Sequence, residues 1–323
     1  MTRIFIAALI GGGAAGLEAR LGFRRMSDEV LALFGPTGVG KTAVAVALAD
    51  LLRVRGERPI AISADALQVY RGLETLTGAA GERERARLEH RLLSFVPVDQ
   101  EFSVGEFMPR AHEEIDAALA AGRRPIVVGG TGLYLRAALT QLDLKPPPPP
   151  ELRARIETEL HERGAEAMHG RLSPAVAATI EPTDRSRIIR ALELAEMGEE
   201  GEPPAESQLW TSATRHPTLL FALTMEREEL YRRIDERVDE MVTAGAVEEV
   251  RTADAAGASR TARKALGFDD LLSGDVDAMK RRTRNYAKRQ LTWMRKLPDV
   301  RLIDTTGRAP LDVAAEIAQV VAA

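Results

Sequence analysis

A chain of 323 residues, with 45% apolar and 28% charged residues, has the composition of a globular protein with room for one large domain or two ordinary ones. The formal charge of −4 excludes a general polycation, so a nucleic-acid partner has to be met by a local basic patch. The absence of cysteine excludes disulfides, thiolate nucleophiles and Cys-ligated zinc, and is consistent with a reducing compartment.

In chain order, the first segment is "MTRIFIAALIGGGAAGLEARLGFRR". Its apolar run resembles a weak signal peptide but is shorter than the roughly 20 residues needed to span a bilayer. Residues 1–25 are read as an N-terminal extension outside the fold, with Met26 as the natural start. "EVLALF" (29–34) is then an apolar strand running into "GPTGVGKT" (35–42), and 42–55 is an alanine-rich helix. The match to G-x-x-x-x-G-K-[ST] between a strand and a helix is the context a phosphate loop requires. Glycines let backbone N–H groups wrap a phosphate, the helix N-terminus adds partial positive charge, Lys41 supplies a point charge, and the Thr42 hydroxyl can ligate Mg²⁺. A phosphate loop argues for the cytoplasm, where nucleotides and activated diphosphates are found.

"RPIAIS" (58–63) is a second buried strand, followed by Ala64 and Asp65. Asp65 fits a Mg²⁺ ligand, a general base or a helix N-cap. His90 precedes a strand-like run, "RLLSFV", and 104–121 reads as a helix. "RRPIVVGG" (123–130) is a third strand that ends in glycines, without the acid that an ordinary NTPase places there for its metal. "KPPPPP" (145–150) is a stiff spacer, and helical segments alone follow to about 196. A polar linker (199–207) then leads into the strands "TLLFALT" (218–224) and "VRLID" (300–304). Apolar strands alternating with helices predict an α/β fold: a parallel, P-loop NTPase-like sheet flanked by helices. The α/β core covers 26–144 and 211–323, and 145–210 is an all-helical insertion domain.

Two further helices carry charge. In 227–250 the apolar spacing is amphipathic, and either Arg233 or Arg237 can turn inward to a phosphate. In 277–296, eight Lys or Arg lie between Lys280 and Lys296 with no acid, and Tyr286 and Trp293 share a face. That combination suits a phosphate backbone and unstacked bases; the plainer reading buries the aromatics and solvates the charges. No histidine pair has metal-ligand spacing.

"GPTGVGKT", "SADALQVYRGLE", "PIVVGGTGLYLRAAL", "EPTDRSRIIRALEL", "ALGF" and "RTRNYAKRQLTWMRK", in this order, resemble the bacterial tRNA dimethylallyltransferases (tRNA isopentenyltransferases) over 29 to about 298. The resemblance implies transfer of a dimethylallyl group from its diphosphate to N6 of adenosine 37, with Mg²⁺ as cofactor and the anticodon stem-loop of tRNA as partner. A monomer in the cytoplasm, with no membrane association, is expected. It implies catalytic roles for Asp65, Thr131 and Lys41, with Asp65 accepting the N6 proton and Thr131 donating to the bridging oxygen. Gly35, Pro36, Thr37, Gly38, Val39, Gly40, Lys41 and Thr42, with Arg233 and Arg237, would bind the diphosphate, Thr42 also holding Mg²⁺. The expected tRNA contacts are Asp65, Ala66, Leu67, Gln68, Thr131, Arg153, Ser186, Arg187, Ile188, Ile189, Arg190, Arg284 and Arg289. The chain departs from the family pattern in having Ala66 after Asp65, "LTGAAGE" without a lysine, Arg91 and Ser94 in "HRLLS", and Phe268 after Gly267. The alternatives are a P-loop small-molecule or nucleotide kinase, a non-catalytic RNA-binding NTPase module, and prenylation of free AMP.

Overall fold

The computed structural model describes residues 29–199 and 208–322, so the reading of 1–25 as an extension and most of the 199–207 linker lie outside the described residues. Six strands form one sheet in the order β3-β2-β4-β1-β5-β6, every pairing parallel. They are β1 (Val30–Phe34), β2 (Pro59–Ser63), β3 (His90–Arg91), β4 (Arg124–Gly129), β5 (Thr218–Thr224) and β6 (Arg301–Asp304). Every residue of β1 is buried, as expected for a central strand with helices on both faces. Successive side chains alternate between two cores. Val30, Ala32 and Phe34 join one with Phe107, Leu135 and Phe268, whereas Leu31 and Leu33 join the other with Leu48, Leu230 and Ile317.

The main helices are α1 (Lys41–Val54), α2 (Val104–Ala120), α3 (Gly132–Leu139), α4 (Pro150–Arg163), α5 (Arg185–Glu196), α6 (Arg227–Thr243), α7 (Ala246–Ala255), α8 (Val276–Met294) and α9 (Pro310–Ala322), separated in places by short helical turns. The start of α2 is fixed by a capping box, in which Ser103 Oγ accepts from Glu106 N and the Glu106 carboxylate accepts from Ser103 N. The proline run ends with Pro150 at the first helical position of α4, where its missing N–H costs no hydrogen bond.

Two local expectations are corrected. The run after His90 does not continue as a strand, because Leu92 and Ser94 take left-handed backbone conformations (φ 56° and 52°) that end the pairing after two residues. The amphipathic stretch 227–250 is two helices, broken at Gly245, whose φ is 100°.

Residues between α4 and α5 are helical or turn only and own a small core made of Ile156, Leu160, Met168, Ile188 and Leu192. Glu193 is fully buried beside it, held by Arg153 through a two-pronged ion pair and by Arg190 at 3.3 Å. Arg190 also donates to the carbonyls of Lys145 (2.9 Å) and Pro146 (2.7 Å), tying the proline spacer to α5. Arg260 bridges this unit to the sheet-bearing part, pairing with Glu157 at 3.1 Å and Glu101 at 2.8 Å. Because this core is separate, Ile188→Ala is expected to weaken local stability there by about 2–5 kcal/mol. Hydrogen exchange should then speed up in α4 and α5 while amides of β1 and β4 keep their protection; uniform loss across the sheet would contradict separate cores.

Candidate active site

Strands β2, β4 and β1 are neighbours, so the loops leaving their carboxyl ends meet: 64–68 after β2, 130–131 after β4 and 35–40 after β1. Together with α6 and α8 they enclose a cavity of about 510 Å³, lined by Thr37, Gly38, Gly40, Lys41, Thr42, Asp65, Gly130, Arg237, Tyr286 and Gln290 among others.

The phosphate loop has the form its sequence implies. Gly38 and Gly40 sit at φ 84° and 98°, and Gly40 is the N-cap of α1 with no side chain to consume the helix's first N–H groups. Those groups face the cavity with the positive end of the helix dipole. The Lys41 ammonium donates to the carbonyls of Gly35 (3.0 Å) and Pro36 (2.9 Å). An ammonium has three N–H donors, so one is left for the cavity. Burial lowers Lys41 from 10.5 to about 8, an effect opposed by the charge of Asp65 and reinforced by that of Arg237.

The sequence left Arg233 and Arg237 as equals; the fold separates them. Arg237 lines the cavity and donates to Gly78 O at 3.2 Å, whereas Arg233 is not among the lining residues and contacts Met225 Sδ. Burial depresses Arg237 as well, and it has no carboxylate ion-pair partner among the described residues. Two cations thus face one cavity without a carboxylate in direct contact, and Asp65, Glu84 and Glu240 complete its charged lining.

Asp65 caps a turn rather than a helix: its Oδ1 accepts from Leu67 N at 2.9 Å and Gln68 N at 3.4 Å. Its Oδ2 faces the Thr131 hydroxyl at 3.5 Å. Thr131 is the N-cap of α3 yet makes no side-chain capping bond. Its hydroxyl instead lies between Asp65 and the Tyr286 hydroxyl, 3.2 Å away. Burial, reinforced by the charge of Asp65, pushes the Tyr286 phenol up to about 12, so it stays protonated at neutral pH.

Gln290 is a site residue that sequence reasoning missed. Its Oε1 accepts from Thr37 N at 2.8 Å and its Nε2 donates to Gly130 O at 2.7 Å, so one buried amide joins the phosphate loop to the turn after β4. A Cβ at Gly130 would collide with this amide and lie 3.3 Å from Lys41 Nζ, which is why a glycine follows β4 there. The available signal was spacing, since Gln290 lies four residues beyond Tyr286 on the same helical face.

The residues expected to touch RNA divide. Ala66, Leu67 and Gln68 sit at the cavity turn; Leu67 and Gln68 line it. Ser186 and Arg187 are exposed and Ile189 is partly so. Ile188 is corrected: its side chain is wholly buried in the small helical core and cannot reach a ligand. Arg153 and Arg190 neutralise Glu193, and Arg284 forms a bidentate pair with Asp235. Arg289 is exposed and stacks its guanidinium over the Tyr286 ring at 5.4 Å. On α8 and just past its end, Lys288, Arg289, Arg295 and Lys296 are exposed with no carboxylate partner among the described residues. Trp293 packs inward against Trp210, with ring centroids 4.3 Å apart.

The sequence model of the IPP transferase family matches residues 68–297. The chain belongs to the IPP transferase family. Among the family's proteins, the tRNA dimethylallyltransferase of Symbiobacterium thermophilum is 39% identical over 297 residues, covering 87% of this chain and 91% of that protein. The enzyme of the same name from Thermobifida fusca is 40% identical over 287 residues, covering 84% and 89%. The crystal structure of the full-length tRNA isopentenylpyrophosphate transferase from Bacillus halodurans superposes with a TM-score of 0.65 at 31% identity, covering 91% of this chain and 97% of that one. The parallel sheet, the phosphate loop and the flanking helices are therefore the architecture of an IPP transferase. No helix among the described residues is long and apolar enough to cross a membrane.

Proposed function

We propose that the protein transfers the dimethylallyl group of dimethylallyl diphosphate to N6 of adenosine 37 in tRNA, releasing diphosphate. The observation that carries this reading is the meeting of Lys41, Arg237 and the α1 N-terminus on one cavity that Asp65 also lines, with the Thr131 hydroxyl 3.5 Å from Asp65 Oδ2. The cations and loop N–H groups suit a diphosphate, and Asp65 is placed to act on an incoming amine. The relatives named above are called tRNA dimethylallyltransferases, which favours dimethylallyl transfer to tRNA over a P-loop kinase.

Adenine N6 is a weak nucleophile because its lone pair is delocalised into the ring, so the donor carbon has to be activated. As the C1–O bond breaks and the N6–C1 bond forms, the electron pair leaves on the diphosphate, where Lys41, Arg237 and the loop N–H groups stabilise it. Thr131 hydrogen-bonds the bridging oxygen, and Asp65 takes the proton released from N6. The adenine has to leave its stack to reach this cavity.

Mg²⁺ fits the donor set. Thr42 lines the cavity beside Lys41, and its hydroxyl would hold the cation next to the diphosphate. When bound it would neutralise charge on the leaving diphosphate. The helical insertion expected over 145–210 would grip the anticodon stem-loop through Ser186, Arg187 and Ile189, with Arg289 and its basic neighbours on α8 as the opposing surface. The protein acts as a cytoplasmic monomer.

Labelled dimethylallyl diphosphate and Mg²⁺, offered with unmodified tRNA, AMP or no acceptor, with and without ATP, test the reading. Label is expected in tRNA alone and without ATP. ATP-dependent phosphorylation of a small molecule, with no label in tRNA, would reject it in favour of the kinase.

A further inference from the structure

We propose that Tyr286 is a positioning residue that directs the single proton of the Thr131 hydroxyl toward the reacting atoms; this rests on the prenyl-transfer reading above. The inference comes from counting protons and acceptors. Tyr286 and Thr131 each carry one hydroxyl proton, and their oxygens are 3.2 Å apart. The Tyr286 hydroxyl pairs with that of Thr131, and the Gln290 amide is its other polar neighbour. Gln290 Oε1 accepts from Thr37 N and its Nε2 donates to Gly130 O, which holds the amide in place beside them. Thr131 has a second acceptor within reach, Asp65 Oδ2 at 3.5 Å.

If Thr131 donated to Tyr286, the Asp65 carboxylate, which can only accept, would face a lone pair of Thr131 instead of its proton. If Tyr286 donates to Thr131, both protons are placed, and the order is Tyr286 to Thr131 to Asp65. The long Thr131–Asp65 bond is the weak link of this chain. It is the one that yields when a better acceptor, the bridging oxygen of the diphosphate, comes within reach of the Thr131 proton. Freed from Thr131, Asp65 Oδ2 can receive the proton from N6. No proton leaves Tyr286 or Thr131 in the step: the C1–O bond breaks, the N6–C1 bond forms, the N6 proton passes to Asp65, and the two hydroxyls keep their hydrogens. A donated hydrogen bond from Tyr286 also polarises the Thr131 hydroxyl and makes it the stronger donor.

The test is a double-mutant cycle of Tyr286→Phe and Thr131→Val in the full chain, with single-turnover transfer to unmodified tRNA as readout. Tyr286→Phe keeps the ring and its contact with Arg289, and is expected to slow transfer about tenfold at saturating donor and tRNA. In the Thr131→Val background the same change is expected to have almost no further effect, because its only route runs through the missing hydroxyl. Binding of inorganic diphosphate, measured by calorimetry, should stay within about twofold in all variants. Equal fold-losses in both backgrounds, an unchanged rate in Tyr286→Phe, or loss of diphosphate binding in that variant would each overturn the inference alone. A wild-type protein that transfers no label overturns the prenyl-transfer reading and this inference together.

Discussion

Replacing Asp65 with asparagine is expected to slow transfer to tRNA by about 10²–10⁴-fold while leaving diphosphate binding nearly unchanged. Asparagine keeps the local geometry, because its carbonyl oxygen can still accept from Leu67 N as Asp65 Oδ1 does. What it removes is a base that can take the N6 proton. Alanine should cost at least as much, since it also releases the turn 65–68 that shapes the cavity edge. Binding has to be compared below about pH 8, because the Asp65 charge supports the protonated form of Lys41. A near-normal rate for Asp65→Asn at saturating tRNA would show that another group, or water, takes the proton.

Lys41→Ala should reduce kcat/KM for the diphosphate donor by about 10²–10³-fold, the usual size for loss of one aimed cationic donor. The pH dependence provides a second check. Burial brings the free-enzyme ammonium from 10.5 down to about 8, so it is protonated at neutral pH and neutral well above that value. Only the protonated form attracts the diphosphate, so kcat/KM for the donor should decline as pH rises through about 8. Lys41→Arg keeps a charge that does not titrate in this range, so whatever activity it retains should lack that decline. Arg237, which shares the cavity, cannot produce the effect near pH 8 because a guanidinium remains charged there. A donor kcat/KM that stays flat in the wild type through about pH 9.5 would mean that Lys41 is not titrating in the free enzyme.

The parts of the site that were legible in the sequence are those encoded locally. Strand, glycine loop and helix follow one another in 29–55, so the phosphate cradle is written in a single stretch. Asp65 and Thr131 were placed at strand ends because each follows an apolar run of strand length. The basic character of 280–296, most of α8 and the two residues beyond it, was visible as eight cations without an acid. The inner face of α8 was not: Tyr286 and Gln290 meet partners 155 and 253 residues away in the chain. Local spacing gives a helix face but not what that face packs against.

The sequence by itself determined the parallel sheet and the glycine loop that leads from its first strand into a helix, because those depend on short-range periodicity, glycine and helix-end chemistry. The tertiary structure alone decided between two arginines one helical turn apart, since only Arg237 is rotated toward the cavity. It also withdrew Ile188 from the binding surface into a small core and turned Thr131 away from capping α3 toward Asp65 and Tyr286. Such choices rest on which helix crosses which strand end, a property of packing that no window of neighbouring residues contains.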